Sequence, residues 1–166
     1  LDRFIFKLRV RYPVLEELTE IIDRTTRPRE VEVQRVMTGP EVMAFRELVR
    51  EVPLAAHVRE LASYIVLASH PQWDRAPEAA RRFVRYGASP RGAQALVLGA
   101  KVRALSEGRY NVSVEDLRAM ALPAIRHRLI LNFEGEAEGV DADTLIDQLV
   151  EAAESLSTTG KDAFVR

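Results

Sequence analysis

Not one of the 166 residues is cysteine. That excludes a disulfide framework and any cysteine-ligated metal, and it suits a cytosolic protein. No apolar stretch approaches the roughly 20 residues a membrane span needs. Neither sign of charge dominates: 24 Lys and Arg stand against 25 Asp and Glu, a formal net charge of −1. No global field therefore recruits nucleic acid or an acidic membrane, and no basic, aromatic-interleaved stripe appears. A Gly-x-x-x-x-Gly-Lys-Ser/Thr phosphate loop is missing too. Its nearest imitation, Thr159-Gly160-Lys161-Asp162, has Ser155 at the first Gly position and Asp162 at the Mg²⁺-binding hydroxyl, in a polar tail. No apolar run ends in paired carboxylates, so an acid to hold Mg²⁺ is absent as well. His57 and His70 carry no metal-ligand spacing and read as ordinary helix and loop histidines. By the same inventory a self-sufficient enzyme is the least supported reading.

What is present is a chain that is 47% hydrophobic, enough for one or two small cores. Phe4, Phe6, Leu8 and Val10 alternate with Ile5, Lys7, Arg9 and Arg11, the period of a strand, which Tyr12-Pro13 ends. From there about seven helices follow by their apolar spacing. Val14, Leu15, Leu18, Ile21 and Ile22 form the first stripe; Thr38-Gly39-Pro40-Glu41 opens a second helix, and Pro53 breaks it. Leu54 to Ile65 reads as a third, closed by His70-Pro71, with Trp73 in the loop beyond as a core anchor. A short helix near Ala79–Val84, rich in arginine (Arg81, Arg82, Arg85), leads to a turn at Gly87. Ser113 caps the next helix, Asp143 to Glu154 form the last, and residues 155–166 read as a disordered tail. A lone strand cannot satisfy its own backbone groups, so residues 1–12 look like the last strand of a missing α/β core, and residues 13–154 like a helix bundle.

The chemistry concentrates at Gly87-Ala88-Ser89-Pro90-Arg91. Ser89 is a preferred N-cap and Pro90 suits the first helical position. Arg91 then lies in the first turn of a helix, among unpaired N–H groups and the positive dipole end, an awkward place for a cation unless an anion arrives. Farther on, Arg126-His127-Arg128, with Asn132 nearby, is a compact basic cluster with two readings: a face that meets an acidic partner or the nucleotide-bearing core, or, the favoured one, a solvated basic edge flanking apolar Leu129-Ile130-Leu131.

These residues, with Gly92-Ala93-Gln94-Ala95-Leu96 after them, resemble the sensor-2 segment of the MoxR family of AAA+ ATPases. Leu1-Asp2-Arg3-Phe4 resembles the end of the family's arginine-finger segment. Tyr110 to Leu117 resembles the helix entry after sensor 2, and Ala124 to Leu131 the hallmark stretch downstream. The resemblance implies a mainly α lid domain, the C-terminal part of an ATPase cut away from its nucleotide-binding core. It implies Arg3 as the finger acting in trans, and Arg91, with Ser89 and Pro90, as the sensor for nucleotide phosphates. ATP and Mg²⁺ would belong to the full-length parent, with none bound tightly or hydrolysed by this piece alone. A cytoplasmic ring, a hexamer, would remodel or mature client proteins in chaperone fashion, alongside proteins with von Willebrand factor A domains. Gly92 departs from the Ala usual at that position, which loosens the first turn. A helical interaction adaptor with no nucleotide role is the competing reading; it requires Arg91 to face away from Arg3, and residues 1–12 to fold back onto the bundle.

Overall fold

The computed structural model describes residues 1–28 and 32–162, with residues 159–162 described by their backbone alone. The elements run α1 (Leu15–Thr26), α2 (Gly39–Glu51), α3 (Ala56–Ala68), α4 (Glu78–Phe83), β1 (Val84–Tyr86), α5 (Pro90–Ser106), α6 (Val114–Ile125), β2 (Ile130–Leu131), α7 (Phe133–Ala137) and α8 (Ala142–Asp162). The fold is mainly α. Among the described residues no helix is long and apolar enough to cross a membrane.

The helix starts follow capping chemistry. Thr38 accepts from the N–H of Glu41, whose carboxylate accepts the Thr38 N–H at 2.7 Å. Ser113 and Asp116 make the same reciprocal box at α6. The core lies where α3, α5, α6 and α8 meet, built from fully buried Ile65, Leu96, Leu117, Ile125, Leu145, Ile146 and Leu149. Gly92, Ala95, Gly99 and Ala100 line the buried side of α5, and small residues there let helix backbones approach closely. Trp73 is partly buried against this core, its ring 6.1 Å from that of Tyr64.

Two expectations are corrected. Residues 4–12 form no strand; the sheet is instead β1 paired antiparallel with β2. The alternation at Phe4–Val10 describes an extended segment, but it meets side chains and a helix end here rather than a second strand. The last helix does not stop at Glu154: α8 runs on to Asp162, with Thr158 donating back to the Glu154 carbonyl at 2.9 Å. The remainder of the expected disordered tail, residues 163–166, lies outside the described residues. Separately, α1 and α2 bury no residue at all. Among the described residues the apolar stripe of α1 is therefore amphipathic in sequence yet supplies no buried side chain, so these first two helices add nothing to the buried core.

Candidate functional site

The turn Gly87-Ala88-Ser89 is bolted to the end of α3. Ser69 is wholly buried; its Oγ accepts the Ala88 N–H at 2.9 Å and donates to the Val66 carbonyl. His70 Nε2 stands 3.0 Å from the Ala88 carbonyl, which fixes it as the donor. A β-carbon on Gly87 would lie 2.6 Å from both the carbonyl oxygen and the Oγ of Ser69. Gly87→Ala should therefore cost about 1–3 kcal/mol by overpacking, read as a lower urea midpoint with unchanged m-value.

From that turn α5 begins as expected. Ser89 Oγ accepts the Arg91 N–H at 3.2 Å, and Pro90 occupies the first turn. The anion that meets this helix start is the chain's own Asp2. Ser89 Oγ lies 2.9 Å from both Asp2 carboxylate oxygens and donates to them, while Arg91 Nη1 reaches Asp2 Oδ2 at a longer 3.4 Å. Burial works against a charged Asp2, yet hydrogen bonds from Ser89, Arg128 and Arg91 outweigh it and hold the carboxyl below its ordinary range. Arg91 remains exposed, and Arg3 is exposed with no hydrogen bond or ion pair among the described residues. Arg3, Arg91, Arg128 and Asp2 together line one pocket of about 220 Å³.

Sequence reasoning missed the anchor of this site. Arg126-His127-Arg128 is not a solvated edge: the Arg128 side chain is only 2% exposed. Its five N–H donors go to five acceptors. Nε donates to Asp2 Oδ1 at 3.0 Å, Nη2 to the Asp2 and Phe4 carbonyls at 2.7 Å each, and Nη1 to the carbonyls of Ile5 (3.1 Å) and Ala124. His127 Nε2–H donates to the Phe4 carbonyl at 2.8 Å, leaving Nδ1 buried with no partner among the described residues, and burial lowers the His127 pKa below its ordinary value. Arg126 Nη1 donates to the Lys7 carbonyl at 2.9 Å, while its Nε and Nη2 grip Asp143. Carbonyls that a strand would have paired are thus taken by three side chains. The cluster sits just past the C-terminus of α6, whose last carbonyls lack helical partners and whose dipole favours cations. Lys7 N–H supplies one missing donor, to Pro123, at 2.9 Å. The only sequence signal for this was that helix-end position; the partner, more than a hundred residues upstream, carried none.

Two glycines make room for the arrangement. A β-carbon on Gly92 would press on Arg128 Cδ at 3.2 Å, and one on Gly99 would strike the Phe6 ring at 2.6 Å. Gly92 thus clears space for the Arg128 stem. The arginines before the turn face other work: Arg82 pairs with Glu134 and Glu138, Arg81 donates to the Asp74 carbonyl, and Arg85 lies over the Tyr86 ring.

Residues 77–149 match the model of the AAA lid domain family. Over 157 residues the chain is 29% identical to YeaC of Bacillus subtilis, spanning 92% of this chain and 45% of that protein. It is 26% identical over 152 residues to Chaperone MoxR1 of Mycobacterium tuberculosis, 90% of this chain and 40% of the relative. Protein MoxR of Paracoccus denitrificans is 39% identical over 74 residues, 45% of this chain and 21% of its own. A crystal structure of a candidate ATPase from Cytophaga hutchinsonii superposes with a TM-score of 0.81 at 28% identity, covering 91% of this chain and 46% of that one. Residues 77–149 are an AAA lid domain, and the chain as a whole is similar to MoxR proteins. It spans less than half the length of these relatives. In this lid the candidate site lies at the start of α5, inside the matched segment, while Asp2 and Arg3 reach it from outside that segment. Among the described residues no group of three or more His, Cys, Asp or Glu could hold a metal ion. Ser89 and Arg91 at the start of α5 are donors of the kind a phosphate accepts from, and here Asp2 takes them; among the described residues no Mg²⁺ ligand set stands beside them.

Proposed function

We propose that this lid couples ATP binding and hydrolysis, carried out in the rest of a cytoplasmic ring-forming AAA+ ATPase, to chaperone-like remodelling or maturation of partner proteins. Arg91 is the sensor-2 residue for nucleotide phosphates held by the same subunit, with Ser89 and Pro90 shaping the helix start that carries it. Arg3 is the finger offered to the neighbouring subunit of a hexamer. The observation that supports this most is the meeting of Arg3, Arg91 and a single carboxylate in one pocket, with both arginines exposed. A guanidinium suits either task because it stays charged and grips two phosphate oxygens at once. A bound nucleotide supplies the charge that these arginines answer; the lid itself contributes position. Of the two features the adaptor reading requires, residues 1–9 do fold against the helices, but Arg91 does not face away from Arg3.

The test is ATP turnover of the complete ATPase. Arg91→Ala and Arg3→Ala should each slow it at least about tenfold. Subunits with Arg3→Ala, mixed with wild type, should still supply an active pocket to a neighbour that keeps its finger. Normal turnover in both variants would return the domain to the adaptor reading. Clients, von Willebrand factor A-domain proteins among them, would then be sought by binding rather than by ATP dependence.

A further inference from the structure

Among the described residues Arg3 makes no hydrogen bond or ion pair, yet the backbone on either side is gripped tightly. Four of the five Arg128 hydrogen bonds end on Asp2, Phe4 and Ile5. The Asp2 carboxylate spans from Arg128 at 3.0 Å to Ser89 at 2.9 Å and Arg91 at 3.4 Å. Phe6 lies against Gly99 on the same helix, and Lys7 N–H is tied to Pro123. One carboxylate thus joins the first turn of α5 to the segment carrying Arg3.

We infer that Asp2 is a positioning residue: anchored by Arg128, it sets the aim of Arg3 from the first turn of α5, so that a movement of the lid carries the finger with it. This rests on the reading of Arg3 as a finger. The sensing arginine and the finger would then move as one body, linking phosphate contact in one subunit to the finger presented to the next. The long Arg91 contact is the weakest bond of the bridge. Arg91 can leave Asp2 for a phosphate while Ser89 and Arg128 keep the carboxylate in place.

The first test needs no turnover. Because the chain has no cysteine, a nitroxide on Arg3→Cys is a single-site probe of that segment. Its spectrum should show restricted motion, and Asp2→Asn or Arg128→Lys should each mobilise it. Asp2 is partly exposed, so Asp2→Asn should keep its melting temperature within a few degrees. In the complete ATPase, Asp2→Asn should lower kcat about tenfold with KM for ATP within about twofold, since a finger acts in the transition state. Asp2→Asn combined with Arg3→Ala should be no slower than Arg3→Ala alone. An unchanged spectrum overturns the positioning role whatever the kinetics. Slow turnover in Arg3→Ala with normal turnover in Asp2→Asn overturns it while leaving the finger standing. Normal turnover in Arg3→Ala removes the finger, and this role with it.

Discussion

Asp116→Ala is expected to cost about 2–3 kcal/mol of folding stability, because it removes the acceptor at the centre of a set of charged hydrogen bonds. The Asp116 side chain is wholly buried. Arg109 donates to it twice, at 2.7 and 2.6 Å; the Ser113 N–H donates at 2.9 Å, and Arg103 stands 3.5 Å away. These bonds, those of Arg109 foremost and against the opposing effect of burial, bring the Asp116 pKa down from 3.8 to about 2. A lowered folded-state pKa means that the unfolded chain takes up the proton more readily. The stabilisation is therefore complete above about pH 4 and lost as pH falls toward 2, a contribution of roughly 2 kcal/mol. Asp2, Glu41, Glu107, Glu115 and Asp141 are also lowered and share the acid slope. The informative quantity is thus the difference between wild type and Asp116→Asn in urea unfolding from pH 6 to pH 2. The two curves should converge at the acid end. Parallel curves would mean that Asp116 is not the titrating group.

Arg128→Ala should destabilise the protein by about 3 kcal/mol and free residues 1–9 from the helices. It strips donors from four carbonyls and from Asp2 at once. Arg128→Lys should recover less than half of that loss, because an ammonium has three donors at one point where the guanidinium has five in a fixed plane. Urea midpoints give the stability, and protease cleavage within residues 1–9 reports the release. A stability within about 0.5 kcal/mol of wild type, with residues 1–9 still protected, would show that the segment is held by Phe6 and Lys7 rather than by the clasp. The distinction bears on function, since Arg3 belongs to that segment and its orientation follows whatever holds it.

Much of this was legible along the chain because it is local. Thr38 and Ser113 announce helix starts through bonds that span three residues, and Ser89-Pro90 does so at α5. Pattern alone misled where the partner was distant or absent. The Phe4–Val10 alternation specifies an extended backbone but not what pairs with it. The α1 stripe specifies an apolar face but not whether anything covers it. Arg128 illustrates the difference most directly: as text it is one of three basic residues beside an apolar run, and in the fold its side chain is buried.

By itself the sequence determined the helical class, the cap that places Arg91 in the first turn of α5, the absence of a phosphate loop, and the family resemblance. Those properties depend on spacing and on residue chemistry within a few positions. Only the tertiary structure decided that Asp2 supplies the negative charge at that helix start and that Arg128 ties the Arg3 segment to it. Hydrogen bonds between residues 87 and 126 positions apart leave no periodic trace in a chain. They arise only when the packing of α5 on α6 brings Ser89 and Arg128 to one place, where Asp2 can meet both.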